Sequence, residues 1–293
     1  MWETENIVRI LTTASLGGLL LAVGMRLRAR QVVHALRERH LTLIILANFA
    51  VVPALVVTAT RLCGLRAEVS TGMILLAAAP FAPVVPVFAR MARADLALAA
   101  GLTALFPLLS VFLTPLVCQI ALAWIAAGGS VQFNATAALL VLSATIVLPL
   151  CLGMGLNRAA PLFVRSILRR VEMASEAAGA ASLAFVTATA WSSIVGIGWR
   201  ALGVTALTSE ISLLLGYSLG GKNRTARQVV GLGTSNRNIA LALLVALQAF
   251  GGTGVVPAVV ANGLILILLG LIHVAFWRFG PQRVRESGSG GRA

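Results

Sequence analysis

"GTSNRN" occupies residues 233–238, with "ARQVVGL" (226–232) before it and "IALALLVALQAF" (239–250) after it. Six successive residues lack an apolar side chain, yet they lie inside a run long enough to cross a bilayer. Glycine and small polar side chains compete with helical backbone bonding. An arginine at mid-span costs about 2.5–3.5 kcal/mol on insertion scales. Backbone that unwinds at membrane depth persists only where protein packs around it or where it lines a cavity. The stretch therefore predicts a transmembrane helix broken in its middle, with Arg237 at the break.

A second stretch has the same property. "GMILLAAAPFAPVVPVFAR" (72–90) carries Pro80, Pro83 and Pro86 at intervals of three. Each proline removes an N–H and clashes with the turn before it. Two interrupted helices in corresponding halves of a chain point to a transporter site near the midplane. There, half-helix ends offer free N–H and C=O groups to an ion or a substrate.

The remaining sequence points to an all-α polytopic membrane protein. The chain has 293 residues, 59% of them hydrophobic and 11% charged, with a mean hydropathy of +0.95. Soluble domains carry about 25% charged residues, and the apolar runs are near the length of a membrane-spanning helix. Nine spans are predicted, at about 6–26, 39–62, 70–90, 95–127, 135–157, 171–196, 200–220, 225–250 and 254–278. Pro107 and Pro115 predict kinks in the fourth.

The net charge of +14 does not signal nucleic acid, because the basic residues fall in short clusters between spans. The connections after spans one, three, five and seven, with the C-terminal tail, hold 18 of the 23 basic residues. The opposite side holds Arg9, Arg61, Arg66 and Arg200, and Arg237 is the one left inside a span. The positive-inside rule then puts the N-terminus outside and the C-terminus in the cytoplasm. That is a multi-pass protein of the inner membrane. "MWETEN" at the start has no positive region of a signal or transit peptide. Cys63, Cys118 and Cys151 are far apart, so neither a disulfide framework nor a zinc site is expected. His34, His40 and His273 read as solvated or interfacial. Glu210 lies near the middle of span seven, and Glu176 about one turn into span six. No nucleophile–base pair, metal cluster or phosphate loop suggests an enzyme, and no cofactor is expected.

"ANFAVVP" (47–53), "GMILLAAAP" (72–80), "ARADLALAAGLTALFPLLSVFLTPL" (92–116) and "RN-x-x-LAL" from Arg237 occur in that order. Together they resemble the bile acid:sodium symporter family from about residue 20 to residue 275. The resemblance implies two inverted repeats folded into a panel and a core domain, with two broken helices crossing in the core. A nine-span chain with an outside N-terminus lacks the first helix of the first repeat. The implied organisation is a single transporter domain over 1–280, with repeats at about 6–127 and 135–278. Residues 281–293 are expected to form a disordered cytoplasmic tail.

The family's sodium ligands match this sequence only in part. Asn48 keeps an amide before the first break. The Ser-Asn pair of the first crossover corresponds to Val85 and Pro86, and two hydroxyls of the next helix to Ala99 and Thr103. In the second crossover the glutamate corresponds to Gly233 and the glutamine to Arg237, while Asn238 is kept. A residual sodium site would draw on Asn48, Thr103, Thr234 and Asn238. A fixed cation about 4 Å from a sodium ion opposes it by about 4 kcal/mol at an effective dielectric near 20, so sodium coupling is expected to be weakened or lost. The expected substrate site comprises Asn48, Pro80, Pro83, Pro86, Thr103, Thr234, Ser235, Asn236, Arg237 and Asn238.

Arg237 has three readings. It replaces the ion as a fixed counter-charge, it binds an anionic substrate through its planar fork, or it pairs with Glu210, and such a pair could also serve coupling. The function expected is secondary transport of a small organic anion by alternating access. The alternatives are sodium symport through the residual ligands, and a non-transporting sensor or partner-binding protein on the same fold. The partners are the anion and the lipid bilayer, with the oligomeric state open.

Overall fold

The structure is a computed structural model that describes residues 2–27, 40–125 and 133–279. Every element among the described residues is helical. Helix α1 is Trp2–Arg26, α2 Leu41–Leu62, α3 Ala67–Ala77, α4 Val85–Met91, α5 Leu96–Ile125 and α6 Ala135–Ala159. The second half contains α7 (Pro161–Thr189), α8 (Trp191–Val195), α9 (Trp199–Leu219), α10 (Arg224–Ser235), α11 (Ile239–Ala249) and α12 (Val255–Phe279).

Among the described residues seven helices are long and apolar enough to cross a membrane, with α10 and α11 counting as one. The other two predicted spans take a different form. The third is split into α3 and α4, so neither half reaches spanning length. The sixth is α7, which begins ten residues earlier than predicted because Pro161 sits in its first turn, where proline is tolerated. Arg165, Arg169 and Arg170, expected in a connection, therefore lie on this helix. The predicted tail at 281–293 lies outside the described residues, as does most of the first basic connection.

Two helices accommodate a proline by widening one turn. A π-turn at Ala47–Val51 precedes Pro53 in α2, and another at Ser143–Val147 precedes Pro149 in α6. A proline ring pushes away the carbonyl four residues back, and a π-turn relieves that crowding within an otherwise continuous helix. Helix α5 runs through Pro107 and Pro115 without a break in its assignment.

The helices pack as two groups. In the first, α1 lies along α6 and α7. The approach to α6 is as close as backbones allow: a Cβ built at Gly24 would fall 2.3 Å from the Leu150 carbonyl oxygen, and one at Gly153 2.2 Å from that of Leu21. Small residues let membrane helices approach this way. Against α7 the contact is polar, with Thr12 and Ser182 hydroxyls 2.7 Å apart. In the second group α10 packs on α9, α3 packs on α12, and α2 and α5 flank the broken helices.

Candidate functional site

The break between α3 and α4 covers residues 78–84, and that between α10 and α11 covers 236–238. Both are narrower than, or shifted from, the predicted stretches. Gly233, Thr234 and Ser235 remain helical. Pro86 does not unwind backbone but sits in the first turn of α4.

The two breaks meet and exchange main-chain hydrogen bonds. The Phe81 N–H donates to the Gly233 carbonyl at 3.2 Å, the Ala82 N–H to Asn236 at 3.2 Å, and the Asn238 N–H to Ala79 at 2.7 Å. A helix end leaves its last carbonyls without partners, and at this break the carbonyls of residues 77–79 each find one. Ala77 accepts from Arg237 Nη1 at 3.2 Å, Ala78 from the Thr114 hydroxyl at 2.6 Å, and Ala79 from Asn238. The Asn238 side chain caps α11 by accepting from the Leu241 N–H.

Phe81 is fully buried and has a φ of +56°, a left-handed conformation that is an outlier for a bulky side chain. The crossing holds it there, and its ring stacks on Phe106 with centroids 4.1 Å apart. The ring lies against Gly233, where a Cβ would come within 2.0 Å of Phe81 Cε1. No side chain fits at 233 while the ring is in place.

Arg237 is 4% exposed. Its Nη1 faces the carbonyl and side-chain oxygens of Asn48 at 3.5 and 3.4 Å, besides Ala77. Asn48 in turn donates to Ile44 O and to the Thr234 hydroxyl. Arg237 Nη2 has no hydrogen-bond partner among the described residues. The expected pair with Glu210 does not form. Glu210 Oε2 lies 3.1 Å from His273 Nε2, because α9 turns that position towards α12 and away from the crossing. His273, read as solvated or interfacial, is instead this partner. Its Nδ1 lies 2.8 Å from the Leu269 carbonyl, which can only accept.

Two cavities share Arg237 in their walls. The larger, about 320 Å³, lies between the helix groups. From one side it is lined by Thr12, Ser15 and Leu19 of α1 and Glu176, Ala180, Ser182 and Leu183 of α7. From the other come Ala82, Pro83, Asn236, Asn238, Ile239, Ala240 and Leu243. The smaller, about 30 Å³, lies behind the crossing and is edged by Thr205, Thr208, Ser209, Ser212, Ser235 and Asn262. A third cavity, about 140 Å³, adjoins the larger one through Leu19, Pro83 and Glu176 and carries Arg26, Arg90, Glu172, Pro86 and Thr103.

The sequence-predicted site residues thus divide. Pro83, Asn236, Arg237 and Asn238 line the large cavity, Ser235 the small one, and Pro86 and Thr103 the third. Asn48, Pro80 and Thr234 line none of these three cavities. The hydroxyl stripe of α9 escaped the sequence reading, although "TALTSEIS" repeats polar residues at helical spacing through an apolar span. So did Thr12, Ser15 and Ser182, whose place on the cavity wall comes from the packing of α1 on α7.

A model of the Sodium Bile acid symporter family matches residues 13–197, which includes the first break and ends before α9. No curated protein matches the chain.

Proposed function

The chain belongs to the sodium bile acid symporter family, and from that membership we propose that it carries a small organic anion across the inner membrane by alternating access. The helix group of α1, α6 and α7 moves as the panel, against the group with the crossing as the core. The nine-span topology, with the N-terminus outside, is part of this proposal. The large cavity supports it: its wall is mainly apolar, and its polar end combines Arg237 with the start of α11. The first-turn N–H groups of a helix have no partner within it, and they attract anions. Ile239 and Ala240 contribute such groups to that wall.

We further propose that the guanidinium of Arg237 takes the place of a coupling sodium ion. The observation that carries this is its contact with three neutral oxygens, two from Asn48 and one from Ala77. Carbonyl and amide oxygens of this kind are what a hard cation binds. The donor set does not fit sodium. Asn48 Oδ1 faces the guanidinium, Asn238 Oδ1 caps α11, and Thr234 Oγ1 accepts from Asn48. Of the side-chain oxygens of the four residual ligands, only the Thr103 hydroxyl is without a hydrogen-bond partner among the described residues. Phe81 fills the space beside Gly233, where the family pattern has a carboxylate.

Uptake of labelled monocarboxylates into proteoliposomes tests both statements. Flux is expected to be equal with sodium or with choline outside, and to be lost in R237Q. Strong sodium dependence would overturn the substitution of the ion by Arg237. Unchanged flux in R237Q would remove the guanidinium from the mechanism.

A further inference from the structure

We infer that Glu176 is the proton-binding group that couples this carrier to a proton gradient. The inference rests on the reading above, in which the large cavity takes an organic anion without sodium.

Among the described residues Glu176 is the only acidic one in the wall of the large cavity, and it also borders the third one. It lines that wall from α7, as Pro83 does from the first break, and it is itself exposed. The charged groups that face it are few. On α7 itself Glu172 is held by Arg26 of α1, with oxygen and nitrogen 2.5 Å apart. Arg90 of α4 borders the third cavity only. Arg237 borders the large cavity, with its Nη1 held by Asn48 and Ala77. No charged residue of α5, α11 or α12 lines either cavity. Glu176 makes none of the hydrogen bonds or ion pairs among the described residues, and the other membrane acid, Glu210, is engaged with His273 and lines none of these cavities.

An ionised Glu176 and a substrate carboxylate in one cavity repel each other. Across about 6 Å the repulsion weakens anion binding by between about threefold and a hundredfold, the lower figure allowing for solvent screening of the exposed carboxylate. Protonation removes that penalty. By linkage the effect is reciprocal: the bound anion raises the proton affinity of Glu176 by the same factor. Anion and proton therefore load together. No covalent bond is made or broken: one proton joins a Glu176 oxygen, and the same proton leaves it after translocation. For a monovalent anion the cycle is electroneutral.

The third cavity supplies the release. Arg26 and Arg90 lie at the ends of α1 and α4, on the side where most basic residues cluster. When the large cavity opens towards them, the charge of Arg90 favours the ionised carboxylate and expels the proton, that of Arg26 being offset by Glu172.

The experiment uses the full-length protein in sodium-free proteoliposomes with labelled monocarboxylates. An outside pH of about 5.5 against about 7.5 inside should raise initial uptake about threefold or more, and a protonophore should abolish the rise. E176Q is expected to lose the gradient response, and with it the proton uptake that wild type shows on adding substrate in weakly buffered detergent, while an unfolding midpoint near that of wild type shows that it folds. Wild-type counterflow without gradient dependence overturns the inference and leaves the carrier reading intact. So does a gradient response that survives in E176Q, or one that survives there and vanishes in E210Q. No counterflow in the wild type sinks the carrier reading and this inference with it. If E176Q does not fold, proton uptake on adding substrate to wild type in weakly buffered detergent carries the test. About one proton per anion is expected, and none overturns the proposal.

Discussion

At the scale of single residues the crossing depends on satisfying carbonyls that a continuous helix would pair internally. Thr114 is the simplest case. Its hydroxyl serves the Ala78 carbonyl at 2.6 Å and both residues are buried. Thr114→Val keeps the shape and removes the donor, leaving a buried carbonyl without a partner at a cost of about 1–3 kcal/mol. A change near the lower end corresponds to a fall of about 2–4 °C in the unfolding midpoint, measurable in detergent. An unchanged midpoint would mean that another donor replaces the hydroxyl. Arg237 was legible in the sequence as a charge in a break, since polarity and helical continuity conflict there. Its partners were not. Glu210 was the nearest candidate by charge, but a sequence holds no information on which way α9 faces, and the oxygens that meet Arg237 come from Asn48 and Ala77, more than a hundred residues away.

At the scale of elements, two kinds of proline were read as one. Pro80 and Pro83 lie in unwound backbone, whereas Pro86 starts α4. Proline removes the same N–H in each place, but that N–H is unneeded in a first turn. The second break was placed correctly but drawn too wide, because Gly233 to Ser235 still bond within α10. Close packing of α1 on α6 was invisible, since single glycines in apolar runs carry no partner information. It makes a prediction. Gly153→Leu sets a side chain against the α1 backbone and is expected to destabilise the group of α1, α6 and α7 by about 1–3 kcal/mol or more, seen as a loss of monodisperse protein. Gly155→Leu is its control, because a Cβ at 155 meets nothing within 4 Å. Equal yields of the two variants would show that the Gly24–Gly153 approach is not a determinant of packing.

At the scale of the whole molecule the cavity exists only because the two helix groups stop short of each other beside the crossing. Alternating access requires that gap to change. Ala180 of α7 and Ala240 of α11 face the cavity from opposite groups. Cysteines at both positions, joined by a short bifunctional reagent in a background lacking the exposed Cys63 and Cys151, should stop flux, while the unlinked protein transports. Undiminished flux after complete linkage would mean that the groups do not move against each other there. The class of fold was readable from span length and charge alternation, which are properties of the chain against a bilayer. The cavity was not, because it is a property of side chains that never approach one another in sequence. The fit of Phe81 over Gly233 also locks the two positions together. While ring and glycine are both in place, a glutamate at 233 alone collides with the ring, and removal of the ring alone leaves a hollow without a charge. The pair is a ratchet, in which only two changes together admit a carboxylate.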